Sequence, residues 1–232
     1  MKINIKGPIV NNNDAWIYEW FGIEATSPKK VNDLLEKANG EDIEVEINSG
    51  GGSVFAGSEI YTALKSYKGN VTVKIVGLAA SAASVIAMAG KKVMMSPTAQ
   101  IMIHNVRSTA SGDYRDMEHT AEVLKNANDT IANAYRLKTG KTQEELLALM
   151  NNETWMTAER AKELGFIDEI MFEDDIQLVA STDFSGMLPP QVINKIRNLI
   201  KNPHNSQTKE NEADFLMVKL NYLKLKGEVI NE

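Results

Sequence analysis

Ser81 sits where a run of strand character gives way to a run of helix character. Residues 71–76, Val-Thr-Val-Lys-Ile-Val, predict a buried strand. Val85-Ile86-Ala87-Met88-Ala89 predicts a helix of small residues that Gly90 stops. At such a junction the first helical N–H groups lack intrahelical partners and face whatever stands before them. A hydroxyl placed there can attack a carbonyl while the N–H of the next residue, Ala82, receives the developing oxyanion. The small residues Ala79, Ala80, Ala82 and Ala83 leave room for a substrate backbone. On this stretch alone an N-cap is the simpler account of Ser81, since serine is a favoured capping residue.

A serine nucleophile needs a base, and the base needs a group that fixes its tautomer and stabilises the imidazolium. The chain has three histidines: His104, His119 and His204. His104 closes the apolar run Gln100-Ile101-Met102-Ile103 and is the candidate base, although by itself it would also suit a half-buried structural role. His119 falls in a polar part of a long helix and His204 in the tail. A glycine-rich loop, Asn48-Ser49-Gly50-Gly51-Gly52-Ser53, follows a strand at 43–47. Its glycines suit the close approach of another backbone and expose N–H groups. A phosphate loop would need a Walker lysine, which is missing. A serine–lysine dyad using Lys91 or Lys92 is a second enzyme reading, but it leaves His104 without a role.

The elements that must position these residues alternate between strand and helix. Residues 2–6 predict a short strand. Ser27-Pro28 caps a helix that runs through Val31, Leu34 and Leu35 to Asn39-Gly40. A helix with Ile60 and Leu64 on its apolar face follows the glycine loop, and strands at 92–95 and 100–103 follow the Ser81 helix. The polar loop 105–112 leads to a long amphipathic helix over 113–138, with Met117, Ala121, Leu124, Ile131 and Tyr135 on one face and Gly140 as its stop. Thr142-Gln143-Glu144-Glu145 is a capping box, 151–154 a connecting loop, Thr157 the cap of a helix ending at Gly165, and Phe166-Ile167 the start of a last strand. This order predicts an α/β layered fold over 1–175. Residues 176–232 read as a C-terminal extension, part helical through 191–200 and 213–226, with a polar stretch at 203–212 expected to be disordered.

The 232 residues suffice for one sizeable domain and an appendage. The net charge of −6 comes with scattered Lys and Arg, so no basic stripe argues for nucleic acid. No apolar run reaches the length of a membrane span, and the opening Met1-Lys2-Ile3-Asn4 lacks the pattern of a signal peptide. The absence of cysteine removes disulfides, thiolate catalysis and zinc–thiolate sites. A cytoplasmic location is the expectation.

Four motifs occur in one order: the glycine loop, Gly77-Leu78-Ala79-Ala80-Ser81, Met102-Ile103-His104, and Thr157-Ala158-Glu159-Arg160-Ala161-Lys162-Glu163-Leu164-Gly165-Phe166-Ile167-Asp168. Together they resemble the Clp protease proteolytic subunit (ClpP) family over about residues 40 to 170. The resemblance implies a ClpP/crotonase-like fold with stacked β-sheet and flanking helices, and serine endopeptidase chemistry inside stacked, heptameric rings that can pair as a tetradecamer. It implies Ser81 as nucleophile, His104 as base, and the N–H groups of Gly52 and Ala82 as the oxyanion hole, with no metal or organic cofactor. The family usually has Pro where this loop has Gly50, and its acidic triad member is commonly Asp where this chain has Glu153. Glu153 is therefore the matched orienter, with Asp168 and Asp113 as fallbacks. These departures and the tail resemble the ClpP-related head maturation proteases of tailed phages and prophages, which trim scaffold or capsid protein. A general proteolytic subunit working with a Clp ATPase, and a crotonase-fold scaffold that has lost its chemistry, are the competing readings.

Overall fold

A computed structural model describes residues 1–173. The expected extension from 176 lies outside them, as do the helices read at 191–200 and 213–226 and His204.

The strands that alternate in sequence become neighbours in one seven-stranded sheet. Strands β1 (Lys2–Lys6), β2 (Ile43–Ser49) and β3 (Val71–Ala80) pair in parallel, each burying one of its two faces completely through Ile3 and Ile5, Val45 and Ile47, or Val73 and Ile75. Parallel neighbours require crossovers. They are supplied by α2 (Pro28–Ala38), α3 (Val54–Lys65) and α4 (Ala82–Ala87), while a short α1 (Ala15–Trp20) lies in the β1–α2 connection. Ser27 caps α2 as the sequence predicts, its Oγ accepting from Lys30 N, and Ser53 caps α3 in the same way, its Oγ accepting from Ala56 N.

The sheet forks at β3, and the fork places the site. The first half of β3 pairs with β4 (Lys92–Met95), Thr72 to Ile75 lying against Lys92 to Met95. Its second half, Leu78 to Ala80, pairs with β5 (Gln100–Ile103). The sequence read β3 only to Val76, because Gly77, Ala79 and Ala80 have little strand propensity of their own; pairing with β2 and β5 extends it.

Beyond β5, α5 (Tyr114–Thr139) starts at a capping box made by Asp113 and Asp116 and ends at Gly140 in the left-handed region. Only its second half enters the core, through Ala132, Ala134 and Tyr135, so the expected apolar stripe divides: Met117 is exposed and Tyr135 buried. α6 (Gln143–Asn151) follows its own capping box, Thr142 with Glu145. The stretch after it was expected to be only a loop. Instead Thr154–Met156 forms β6, antiparallel to β5, because Trp155 and Thr154 find partners at Met102 and Ile103. α7 (Ala158–Glu163) and a two-residue β7 (Glu169–Ile170) against β4 complete the unit, the last strand starting later than Phe166. Among the described residues no helix is long and apolar enough to cross a membrane.

Candidate active site

The last register pair between β3 and β5 is Ala80 with Met102. Ser81 and His104 lie just past those two strand ends, which is why residues far apart in sequence meet. Ser81 N–H donates to Met102 O at 2.9 Å, tying the start of α4 to β5. His104 Nε2 and Ser81 Oγ are then 2.8 Å apart, the geometry of a nucleophile and its base. Ser81 has φ 55° and ψ −125°, outside the regions a non-glycine residue favours. Such strain costs about 1–3 kcal/mol and persists only where the surroundings fix it. The Ser81 side chain caps nothing in α4, so the capping role that explained it on sequence alone is unoccupied.

The glycine loop brings a second backbone against this turn. Gly51, at φ 93°, lies so close that an added Cβ would stand 2.6 Å from Ala80 O and 2.8 Å from Ser81 Cβ. Gly52, at φ 151°, packs against Ile9, whose carbonyl would be 2.2 Å from such a Cβ. Ile9 N–H donates to Gly51 O and Ser53 N–H to Ile9 O, which pins the loop from both sides. Gly50 is different: an added Cβ meets nothing within 4 Å among the described residues, so their packing does not require glycine there. Neither Gly52 N–H nor Ala82 N–H donates a hydrogen bond among the described residues, and both residues line the cleft that holds Ser81 and His104. That cleft has a volume of about 140 Å³. Gly51→Ala is expected to cost about 1–3 kcal/mol of stability from backbone strain. It should also lower activity out of proportion to that loss, because the methyl pushes on the Ser81 turn. Urea unfolding beside a peptidase assay would separate the two effects.

Glu153 comes alongside the histidine but is not bonded to it. Its carboxylate forms an ion pair with Arg107, from the loop after His104. His104 Nδ1 is buried without a partner among the described residues. Burial lowers the His104 pKa below its ordinary value, Arg107 lowers it further, and Glu153 opposes both. Glu153 itself has φ 46°, a left-handed conformation set by the tight passage from α6 into β6. Arg107 is not recognisable from sequence, where its one mark is a positive charge in a polar loop. That loop is anchored by Val106 N–H donating to Asn128 Oδ1 of α5 and by Asn105 Nδ2 donating to Asn151 Oδ1.

The fallback residues are engaged elsewhere. Asp168 accepts from Val93 N–H and Lys138 at the β4 edge, and Asp113 caps α5. His119 is exposed on α5. The serine–lysine reading fails on placement: Lys91 Nζ donates to Asn70 Oδ1, and Lys92 pairs with Glu169. Ser84, the other serine near the turn, is fully buried and bonded to Tyr135.

A parallel sheet that ends in a strained serine, with a histidine bonded to it from the next strand, defines a serine–histidine site on an α/β fold. Comparison with known sequences narrows this. A family model described as Clp protease matches residues 28–174. The ATP-dependent Clp protease proteolytic subunit of Bacteroides fragilis is 36% identical over 136 residues, 58% of this chain and 66% of that protein. That of Deinococcus radiodurans is 36% identical over 141 residues, covering 60% of this chain and 69% of the relative. Subunit 1 of Chlamydia abortus is 36% identical over 144 residues, covering 60% and 74%. The chain belongs to the Clp protease family. The match spans 66% and 62% of the length of two Bacteroides fragilis relatives.

Proposed function

We propose that this chain is a serine endopeptidase of the Clp type, with Ser81 as nucleophile and His104 as base. The observation that carries the reading is the 2.8 Å hydrogen bond between His104 Nε2 and Ser81 Oγ, beside two backbone N–H groups that donate to nothing among the described residues. His104 takes the Ser81 proton as Oγ bonds to the scissile carbonyl carbon. The N–H groups of Gly52 and Ala82 hold the resulting oxyanion. The C–N bond breaks as His104 gives the proton to the leaving amine, and water, activated by the same histidine, releases the acyl group. Glu153 acts as orienter by turning from Arg107 to His104 Nδ1. The scaffold reading that dispenses with chemistry gives no account of a strained serine bonded to a histidine. The direct test is cleavage of unstructured casein and fluorogenic peptides by the full chain, with loss on fluorophosphonate treatment as the expected result. No cleavage, with no labelling, would refute the reading.

The active species is a stacked ring of copies of this chain, heptameric with a tetradecamer as the paired form. The first half of α5 supports this: Tyr114, Met117 and Val123 stand exposed on a helix whose buried residues, Ala132, Ala134 and Tyr135, all lie in its second half. Such a surface suits a partner face. Leu124→Glu puts a charge there, and burying it unpaired is costly. The variant is expected to fold, to sediment as smaller species and to lose most peptidase activity. Wild-type protein that sediments as a fully active monomer would contradict the ring.

The substrates we infer are the scaffold or capsid proteins of a phage prohead, on the resemblance carried by Gly50, Glu153 and the tail. The names of the relatives, ATP-dependent proteolytic subunits, favour a second reading in which a Clp ATPase delivers general substrates. Neighbouring genes separate them: portal and capsid genes support prohead maturation, and a Clp ATPase gene supports general proteolysis.

A further inference from the structure

The strained Ser81 turn must be held by something, and one of its holders comes from α5. Ser84 Oγ lies 2.6 Å from Ser81 O, to which it donates, and 2.8 Å from Tyr135 Oη. A hydroxyl has one proton. Since Ser84 gives its own to Ser81 O, the Tyr135 hydroxyl must be the donor to Ser84 Oγ. The chain therefore runs one way, from Tyr135 O–H to Ser84 O–H to the carbonyl of Ser81. Both side chains are out of solvent, Ser84 at 0% and Tyr135 at 1% exposure. Burial keeps the phenol protonated, well above its ordinary pKa, so it remains a donor at any working pH. Phe166 packs against the Tyr135 ring at 5.7 Å and fixes its place.

Ser81 O also accepts from Ser84 N–H at 2.9 Å and Val85 N–H at 3.3 Å. A trans peptide is planar, with C=O and N–H pointing opposite ways. Holding the Ser81 carbonyl back into α4 therefore aims the Ala82 N–H forward into the cleft. We propose that Tyr135 and Ser84 are positioning residues that set the orientation of the Ser81–Ala82 peptide, and so of the Ala82 half of the oxyanion hole. This inference rests on the proteolytic reading of Ser81. It concerns the hole alone, because neither hydroxyl touches His104 among the described residues.

The test uses the full chain, as wild type, Tyr135→Phe, Ser84→Ala and the double variant. Each is measured with a fluorogenic peptide, with a peptide aldehyde whose hemiacetal oxygen fills the oxyanion hole, and with the cleaved product peptide. Removing an oxyanion donor outright costs about 10²–10³ in kcat, so misaiming one should cost on the order of tenfold. Tyr135→Phe is expected to lower kcat and aldehyde affinity by about tenfold, with KM, product affinity and the acidic limb of the pH profile unchanged. Ser84→Ala should reproduce this by a second route, and the double variant should be no worse than either single one. Unchanged kcat and aldehyde affinity in both single variants would overturn the inference. So would an equal loss for aldehyde and product, which marks general loosening of the cleft. A wild type that neither cleaves nor is labelled would overturn this inference together with the proteolytic reading, whereas an active wild type with unselective variants overturns this inference alone.

Discussion

Ser81→Ala is expected to reduce peptide cleavage by about 10⁴-fold or more, as removal of a triad nucleophile does elsewhere. The fold should survive. Ser81 Oγ contacts only His104 Nε2 among the described hydrogen bonds, and the turn itself is held by the backbone bond to Met102 O and by Ser84. Circular dichroism and the urea midpoint should thus stay near wild type while turnover disappears. Ser84→Ala is the contrasting variant: it weakens the aim of Ala82 but leaves the nucleophile, so turnover remains measurable. Loss of all turnover in Ser84→Ala with retention in Ser81→Ala would identify a different nucleophile.

Glu153→Gln is expected to lower kcat by roughly 10²–10⁴, because an amide in place of a triad acid favours the wrong histidine tautomer. The carboxylate must first leave Arg107, so Arg107→Gln is expected to act in the opposite direction and raise kcat. The pH dependence gives a second reading of the same pair. The base works only when neutral, so activity falls as pH drops through the His104 pKa. Burial and Arg107 place that pKa below the ordinary imidazole value, and the acidic limb of wild type should lie correspondingly low. Arg107→Gln removes a lowering influence and leaves the raising one of Glu153, which shifts the limb to higher pH. A Glu153→Gln enzyme with near-native turnover would show that His104 is oriented without this carboxylate.

Much of this site was legible in the chain because its parts are local. The strand-to-helix change around Ser81, the glycines before α3 and the apolar run that His104 closes each lie within a few residues. What was not legible depends on pairing across the sheet. The extension of β3 through Gly77 to Ala80 exists because β5 stands beside it, against a weak intrinsic preference, and Thr154 to Met156, too short a run to read as a strand, pairs on the other edge of β5. The Arg107–Glu153 pair joins two loops whose relative placement follows from that pairing. Tyr135 was read as one member of an apolar stripe, although its hydroxyl carries its structural meaning. A signal did exist: Ser84 is the one hydroxyl inside the apolar run from Ala82 to Ala89, and a buried hydroxyl needs a partner. The stripe on α5 misled for a related reason. Periodicity shows that Met117, Leu124, Ile131 and Tyr135 share a face, but not that only the second half of the helix meets its own domain.

Covalent mapping decides whether Ser81 is the activated nucleophile. The full chain is treated with a fluorophosphonate probe, digested, and the modified peptide sequenced by tandem mass spectrometry. One adduct is expected, on Ser81 Oγ, absent after Ser81→Ala and much slower to form after His104→Ala. An adduct on Ser84 or on any other serine, or an unmodified chain under conditions where it cleaves peptide, would contradict it.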